Sequence, residues 1–514
     1  MQLLEIYLPS YRGLQDFKLD LSEGHDTYVL VGRNGRGKSR VLQALAEVFG
    51  SLWRGQRAPF AYRVKYRRGG RLVEVDQRAV KSLPKMTVAN GDSTSAVVHK
   101  ADWRIHLPDH LFGYQAARES QWREEFDRHR DADMASARGD SAASLGQAPG
   151  RGVRPLFLCD VTHLPLILLS LLSNWSEKFA HHAERDVRIS GFASADISIR
   201  RPSWYKRTRD VDRPYWGLEG DAPDLFDAIA TQGRFGAIPD ANARSTYTDF
   251  RITIATSDDL KSFRRLFASD VAMFAMFERL QAAELLTASV RLTMADGHQI
   301  TSEELSAGEQ QSLTIMGMLR LQRGEESLFL LDEPASHFHP GWSQRWYSIV
   351  QAMLEDGQNS QFIAATHDPA LVSNIPREQI RMLRGSAAGV ISAEMPTVDP
   401  RGRGIGGLLT TELYGLDTQL DDHTQRLIDD QYELARSPVL NEEDNRRLRS
   451  INNELESLGF DTIRRDSVVS LFLAELDLRR KELLDRAGSA DPPSEEEFNL
   501  MVRRLFDEKF SRGL

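Results

Sequence analysis

The stretch TYVLVGRNGRGKSRVLQALAEVFG, residues 27–50, decides how this chain is read. An apolar run is followed by a loop with glycines at 32, 35 and 37, then by Val41, Leu42, Leu45, Val48 and Phe49 at helical spacing. Strand, loop and helix in that order, with G-x-x-x-x-G-K-S at 32–39, form the context of a phosphate-binding loop. Glycines permit a tight turn around phosphates, while backbone N–H groups and the helix N-terminus attract the anion. Lys38 is placed to reach β- and γ-phosphates, and Ser39 to bind Mg²⁺ through its hydroxyl. The candidate nucleotide-binding run is therefore Gly32, Arg33, Asn34, Gly35, Arg36, Gly37, Lys38, Ser39 and Arg40. Arg33 and Arg36 occupy non-glycine positions whose side chains can point outward.

Three later motifs complete a pattern. SLFLLDEP, residues 327–334, reads as a buried strand ending in two acids. Asp332 is the expected Mg²⁺ partner and Glu333 the group that polarises the attacking water. LSAGEQ, residues 305–310, opens an apolar-periodic helix, with Ser306 as its cap and Glu309 as a capping-box glutamate. FIAATHDP, residues 362–369, reads as another apolar strand, ending in Thr366-His367.

In that order the motifs resemble the ABC-type ATPase heads of the SMC and RecF kind, including the AAA15- and AAA21-like group. The resemblance is good over residues 1–50 and 287–395. It implies an α/β P-loop head with a β-rich lobe, inserted helices and a helical C-terminal unit. It also implies that Ser306 and Gly308, with Glu309 beside them, read the γ-phosphate bound to a facing subunit. His367 becomes the switch histidine and, with Lys38 and Glu333, part of the catalytic set. Gln115, after LFGY, is the best candidate for the family's nucleotide- and metal-sensing glutamine. Arg12 in SYRGL matches an FRG-like start, and sits near the nucleotide or closes a hairpin. His337 and His339 in PASHFHPGW lie two apart, but no partner cluster accompanies them, so a loop-shaping role is preferred to a metal site.

The rest of the chain sets bounds. The sequence has 514 residues, 27% charged and 41% hydrophobic, with 65 basic against 74 acidic side chains for a net −9. Several structural units are expected, and global attraction to nucleic acid is not supported. No apolar run reaches membrane-spanning length, and the start has no secretory pattern, so a cytoplasmic location is expected. Cys159 alone excludes an intrachain disulfide. Residues 60–76 read as a Gly-Gly hairpin, 129–153 as a surface loop, 163–184 as one helix, and 186–250 as weakly patterned. Helices are expected at 423–436, 441–457, 465–485 and 494–508. The expected domains are a split head at 1–404, with an inserted region at about 110–286, and a helical partner-docking unit at 405–514.

The stretch LLTTELYGLDTQ, from residue 408, looks like the tail of ATPases in Septu-type, retron-linked and restriction-associated defence systems. The resemblance then implies an ATP- and Mg²⁺-dependent switch that pairs with a second copy, or assembles further, and regulates a separate nuclease or toxin effector. The alternative is a DNA-repair or DNA-maintenance ATPase contacting DNA directly; a transporter subunit is a third reading. Neither a Toprim-like acidic pattern nor an HNH-like cluster is found.

Overall fold

The computed structural model describes residues 1–33, 35–89, 95–116, 123–137, 153–174, 177–200, 224–227, 229, 238–239, 250–321, 326–354, 360–386, 389–436 and 441–460. One compact unit runs from Met1 to Gly415 and a second from Leu416 to Leu514. The first therefore extends past the expected end at 404.

The frame of the first unit is a seven-stranded sheet. Its order is Ile391–Glu394, Ile380–Gly385, Thr27–Val31, Gln361–Thr366, Ser327–Asp332, His110–Gln115 and Leu156–Cys159. All neighbours are parallel except the first pair. Parallel sheets need cover on both faces, and the alternation of side chains supplies it. Tyr28, Leu30, Leu328, Leu330, Ile363 and Ala365 enter one buried cluster, which contains the apolar side of helix Lys38–Trp53. Val29, Val31, Phe329, Leu331, Phe362 and Ala364 enter another, with helix Leu164–Leu172 and helix Ala307–Leu321. Phe112, Phe329 and Phe362 stack across three adjacent strands, with centroids 4.9 and 4.5 Å apart. The strands thus read as continuous apolar runs because neither face meets water.

Two antiparallel sheets flank this frame. The six-stranded lobe begins with hairpin Gln2–Tyr11/Leu14–Asp20 and continues through Tyr62–Arg68 and Arg71–Gln77. The two-residue turns Arg12-Gly13 and Gly69-Gly70 have positive φ at both positions, as short hairpins of this twist require. A five-stranded sheet is built around Ile189–Ile199 and Leu286–Met294.

Several expectations change here. The interval 110–286 is partly core, because His110–Gln115 and Leu156–Cys159 are strands of the central sheet. The surface loop expected from 129 begins instead as the end of helix Arg123–Ala137. Glu124 and Glu125 favour its first turn, and the Arg128–Glu124, Arg128–Glu125 and Arg130–Asp127 pairs lie along one side. The single helix expected at 163–184 is two, Leu164–Leu172 and Glu177–Asp186. Ile189–Ile199 is a long strand in a region read as weakly patterned; its inward positions Phe192, Ala195, Ile197 and Ile199 include a small residue that dilutes the signal.

In the second unit, helices Asp422–Arg436 and Glu442–Ser457 pack through Leu427, Ile428, Ile451 and Leu455. Arg447–Asp430 and His423–Glu454 pairs flank that seam. The helices expected at 465–485 and 494–508 lie outside the described residues.

Candidate functional site

Strand register gathers the candidate residues at one edge. Asp332 pairs with Gln115 on one side and Ala365 on the other, while Thr366 pairs with Val31. Each chain then leaves the carboxyl end of its strand: into the phosphate loop after Val31, to Glu333 after Asp332, and to His367 after Thr366. Ligands of open α/β sheets bind at this end.

The loop is shaped for close approach by an anion. Gly35 and Gly37 have φ of 80° and 90°, and Gly37 begins helix Lys38–Trp53. A Cβ on Gly37 would sit 2.9 Å from Leu14 Cδ2, so the glycine is required for conformation and for space. Lys38 is buried and its Nζ donates to Gly32 O at 2.8 Å. Burial lowers the Lys38 pKa, while Glu333 and Asp332 oppose the shift. Its ammonium is therefore held over the loop by a neutral carbonyl that a phosphate can replace.

The arginines diverge. Arg33 Nη2 donates to Gly415 O at 2.9 Å. The Arg36 guanidinium lies against Gly385, leaving no room for a side chain there. Arg40 reaches over Gly13. Arg12 closes the first hairpin and pairs with Glu47, in the middle of helix Lys38–Trp53, at 3.3 Å. Asn34 lies outside the described residues.

Polar side chains converge on Asp332. Ser39 Oγ donates to its Oδ1 at 2.9 Å, and Gln115 Nε2 donates to Oδ2 at 3.3 Å. Burial pushes the Asp332 carboxyl up to about 6, against the Ser39 hydrogen bond, with Glu333 adding to the rise. A buried carboxylate and a hydroxyl are hard oxygen donors suited to Mg²⁺ rather than to a soft metal, and the Gln115 side-chain amide lies beside them. Among the described residues, no group of three or more His, Cys, Asp or Glu side chains has metal-binding geometry. His339 Nδ1 accepts from Gly341 N–H at 3.2 Å as helix Pro340–Leu354 begins.

Glu333 is the most constrained residue of the site. Its φ is +52°, a left-handed conformation that costs a non-glycine residue about 1–2 kcal/mol. Glu333 N–H donates to Ala365 O at 2.8 Å, and Gln311 Nε2 to Glu333 O at 3.3 Å. Its carboxylate accepts from Thr366 Oγ1 at 3.1 Å and lies 2.8 Å from His367 Nδ1. His367 is 60% exposed, so the pair faces solvent where a nucleotide's terminal phosphate can approach.

The signature segment is tied to this edge. Ser306 N–H and Oγ both donate to Glu309 Oε2 at 2.8 Å, which realises the capping box. Gly308 meets PASHFHPGW, residues 334–342, which occupies the D-loop position of the resembled heads, so closely that a Cβ would lie 2.5 Å from His337 O. Gln311, fully buried, donates to Glu333 O while its Oε1 accepts from His337 N–H. Sequence reasoning missed Gln311 and Thr366; the only signal for Thr366 is its place in FIAATHDP, and for Gln311 that it directly follows LSAGEQ. Gly308→Ala should retain ATP binding and lose at least tenfold in turnover, because the new methyl displaces either the signature or the D-loop. Steady-state hydrolysis beside equilibrium nucleotide binding checks this, and full turnover would refute it.

Behind the signature helix, Ser312 Oγ lies 2.8 Å from His182 Nε2, and His182 Nδ1 lies 2.9 Å from Asp186 Oδ2. Arg345 completes the chain at 2.7 Å from Asp186 Oδ1. The order resembles a nucleophile triad, but Ser312 and His182 are 2% and 5% exposed and no substrate can reach them. The network joins three helices instead. His182→Ala, which strands the buried Ser312 hydroxyl and takes one partner from Asp186, should cost roughly 1–3 kcal/mol, read as a lower Tm; an unchanged Tm would count against it.

Comparison with known proteins places these features. A family model described as "AAA domain, putative AbiEii toxin, Type IV TA system" matches residues 165–373, less than half of the chain. The chain is 26% identical over 185 residues to the Septu protein PtuA of Bacillus mycoides (strain KBAB4), covering 34% of this chain and 24% of that protein. It is 29% identical over 99 residues to the retron Vc95 probable ATPase of Vibrio cholerae, covering 17% and 19% respectively. The chain thus spans about a quarter or less of the length of these relatives. An SMC head domain from Thermotoga maritima overlaps 77% of this chain and all of its own, at 11% identity and a TM-score of 0.33. The chain is thus similar in sequence to an AAA-domain family model over residues 165–373, and over shorter stretches to a Septu protein and a retron probable ATPase. No described helix is long and apolar enough to cross a membrane.

Proposed function

We propose that this chain is an ATP-hydrolysing dimeric switch of a bacterial anti-phage defence system, regulating a separate nuclease or toxin effector. The observation that carries the ATPase part is the convergence of Ser39, Gln115, Asp332, Glu333 and His367 on the sheet edge beside Lys38. Lys38 exchanges its bond to Gly32 O for the β- and γ-phosphates. Glu333 accepts a proton from the attacking water as the β–γ phosphoanhydride bond breaks. His367 orients that carboxylate, and Thr366 fixes its second oxygen. Ser39, Asp332 and Gln115 would hold Mg²⁺, which when bound neutralises phosphate charge.

Pairing of heads is supported by the exposed Ser306–Glu309 cap, which leaves the start of the signature helix open to a second copy's nucleotide. A C₂ pair completes two sites at once. The defence role is supported by similarity to the Septu and retron proteins. The net charge of −9 disfavours a purely DNA-binding role.

The test mixes a Lys38→Ala protein with a Ser306→Arg protein. Each alone should be inactive, while random exchange should restore roughly a quarter of wild-type turnover, because half of the dimers carry one intact composite site. No recovery despite demonstrated subunit exchange, or full activity in monomers, would reject the paired site. The effector arm is tested by native copurification from the gene neighbourhood and phage challenge; protection that persists without this chain would reject it.

A further inference from the structure

We propose that Arg33 and the turn Thr411–Gly415 form a latch that reads occupancy of the phosphate loop. The latch rests on the nucleotide-binding reading above and adds its regulation. The motif LLTTELYG, residues 408–415, has no part in the chemistry described so far, yet it lies against the nucleotide edge. Leu408 and Leu413 are buried in the core cluster that also holds Val31 and Leu331. Helix Gly404–Leu409 packs on helix Pro369–Val372, which directly follows His367 and Asp368. Glu412 pairs with Arg384 and accepts from Thr397 Oγ1 at 2.7 Å. The turn closes when Gly415 and Tyr414 N–H groups donate to Thr411 O at 2.7 and 3.2 Å.

On this fixed base, Gly415 faces the phosphate loop. It has φ of +63°, and a Cβ there would lie 3.0 Å from Arg33 Nη2, so the guanidinium covers the glycine. Arg33 donates to the Gly415 carbonyl at 2.9 Å. That acceptor is neutral. Guanidinium–phosphate hydrogen bonds are shorter, charge-assisted and often bidentate, and are roughly twice as strong. A nucleotide phosphate within reach of the loop therefore draws Arg33 away from Gly415. Gly415 is the last residue of the first unit, and the chain continues into the second at Leu416.

A second observation ties the same turn to the catalytic end. Among the described residues, the Tyr414 hydroxyl is buried without a hydrogen-bond partner. Burial raises its pKa, and the carboxylates of Asp368 and Glu333 add to that effect. A buried unpaired hydroxyl is costly. The turn thus adjoins the phosphate loop through Arg33 and, through helix Gly404–Leu409 on helix Pro369–Val372, the segment that follows His367.

The test is hydrogen exchange of the full chain with and without Mg²⁺ and a non-hydrolysable ATP analogue, with binding followed in parallel by titration of a fluorescent analogue. At saturation, the Tyr414 and Gly415 amides should exchange about tenfold faster or more, as a locally opened turn does. In Arg33→Ala they should already exchange fast without nucleotide and not respond to it. Arg33→Lys, which can still donate to a carbonyl, should keep part of the protection. Unchanged exchange in strand Thr27–Val31 verifies the fold, and the wild-type arm decides the question should a variant misfold. Analogue binding with unchanged or slower exchange at 414–415 would overturn the latch while leaving the ATPase reading intact. Absence of binding would overturn both.

Discussion

Replacement of Glu333 by Gln should leave ATP binding intact, lower turnover by on the order of 10²–10⁴-fold and accumulate the closed pair. The amide preserves the size of the side chain and can still accept from Thr366 Oγ1 and face His367 Nδ1, where the carboxylate now makes bonds of 3.1 and 2.8 Å. It cannot take a proton from water. The backbone contacts that hold φ at +52° involve main-chain atoms and so survive the change. Loss of rate with unchanged affinity thus isolates the proton-accepting role from positioning. His367→Ala should give a smaller decrease, because it removes the partner that orients the carboxylate and leaves the base. Mass measurement with ATP should show the Glu333→Gln dimer persisting while the wild type cycles back. Turnover within threefold of wild type would remove Glu333 from the base role.

The contrast between residues shows where sequence was sufficient. Local motifs were legible because their chemistry is contiguous: a glycine loop needs its glycines at fixed spacing, and LLDEP places two acids where an apolar strand stops. The capping box at Ser306 and Glu309 was legible for the same reason. The partnership of Gln115 with Asp332 was not, because it depends on strand order: His110–Gln115 and Ser327–Asp332 are neighbours only once the central sheet has formed. The same sheet takes two strands out of the interval expected to be inserted. The positive φ of Glu333 has no sequence signal, since glutamate is an unfavourable residue for that conformation and surrounding contacts impose it. Arg33 could be read as outward-pointing, but its acceptor on Gly415 belongs to a motif near the far end of the chain. Such long-range pairs leave no local periodicity to detect.

Lys38→Ala should abolish detectable nucleotide binding at concentrations that saturate the wild type. The ammonium is presented for phosphate before any nucleotide arrives: it is buried, held 2.8 Å from Gly32 O, and its lowered pKa reflects the cost of keeping a charge out of water. Phosphate oxygens relieve that cost more fully than one carbonyl does. Two charge-assisted hydrogen bonds at about 1.5–3 kcal/mol each correspond to a loss of roughly 10²–10⁴ in affinity. Removal of the side chain also strands the Gly32 carbonyl in a loop whose close packing against Leu383 leaves little room for adjustment. Thermal unfolding provides a sensitive readout. ATP at a hundredfold excess over its Kd should stabilise the wild type by about 2.7 kcal/mol, seen as a rise in Tm, whereas the variant's Tm should not respond. Lys38→Arg separates charge from shape: the larger guanidinium keeps the charge but does not fit the buried slot, so it should bind only weakly. Magnesium-dependent binding by Lys38→Ala within threefold of wild type would show that the phosphates lie elsewhere, and the site built around Asp332 and Glu333 would lose its substrate.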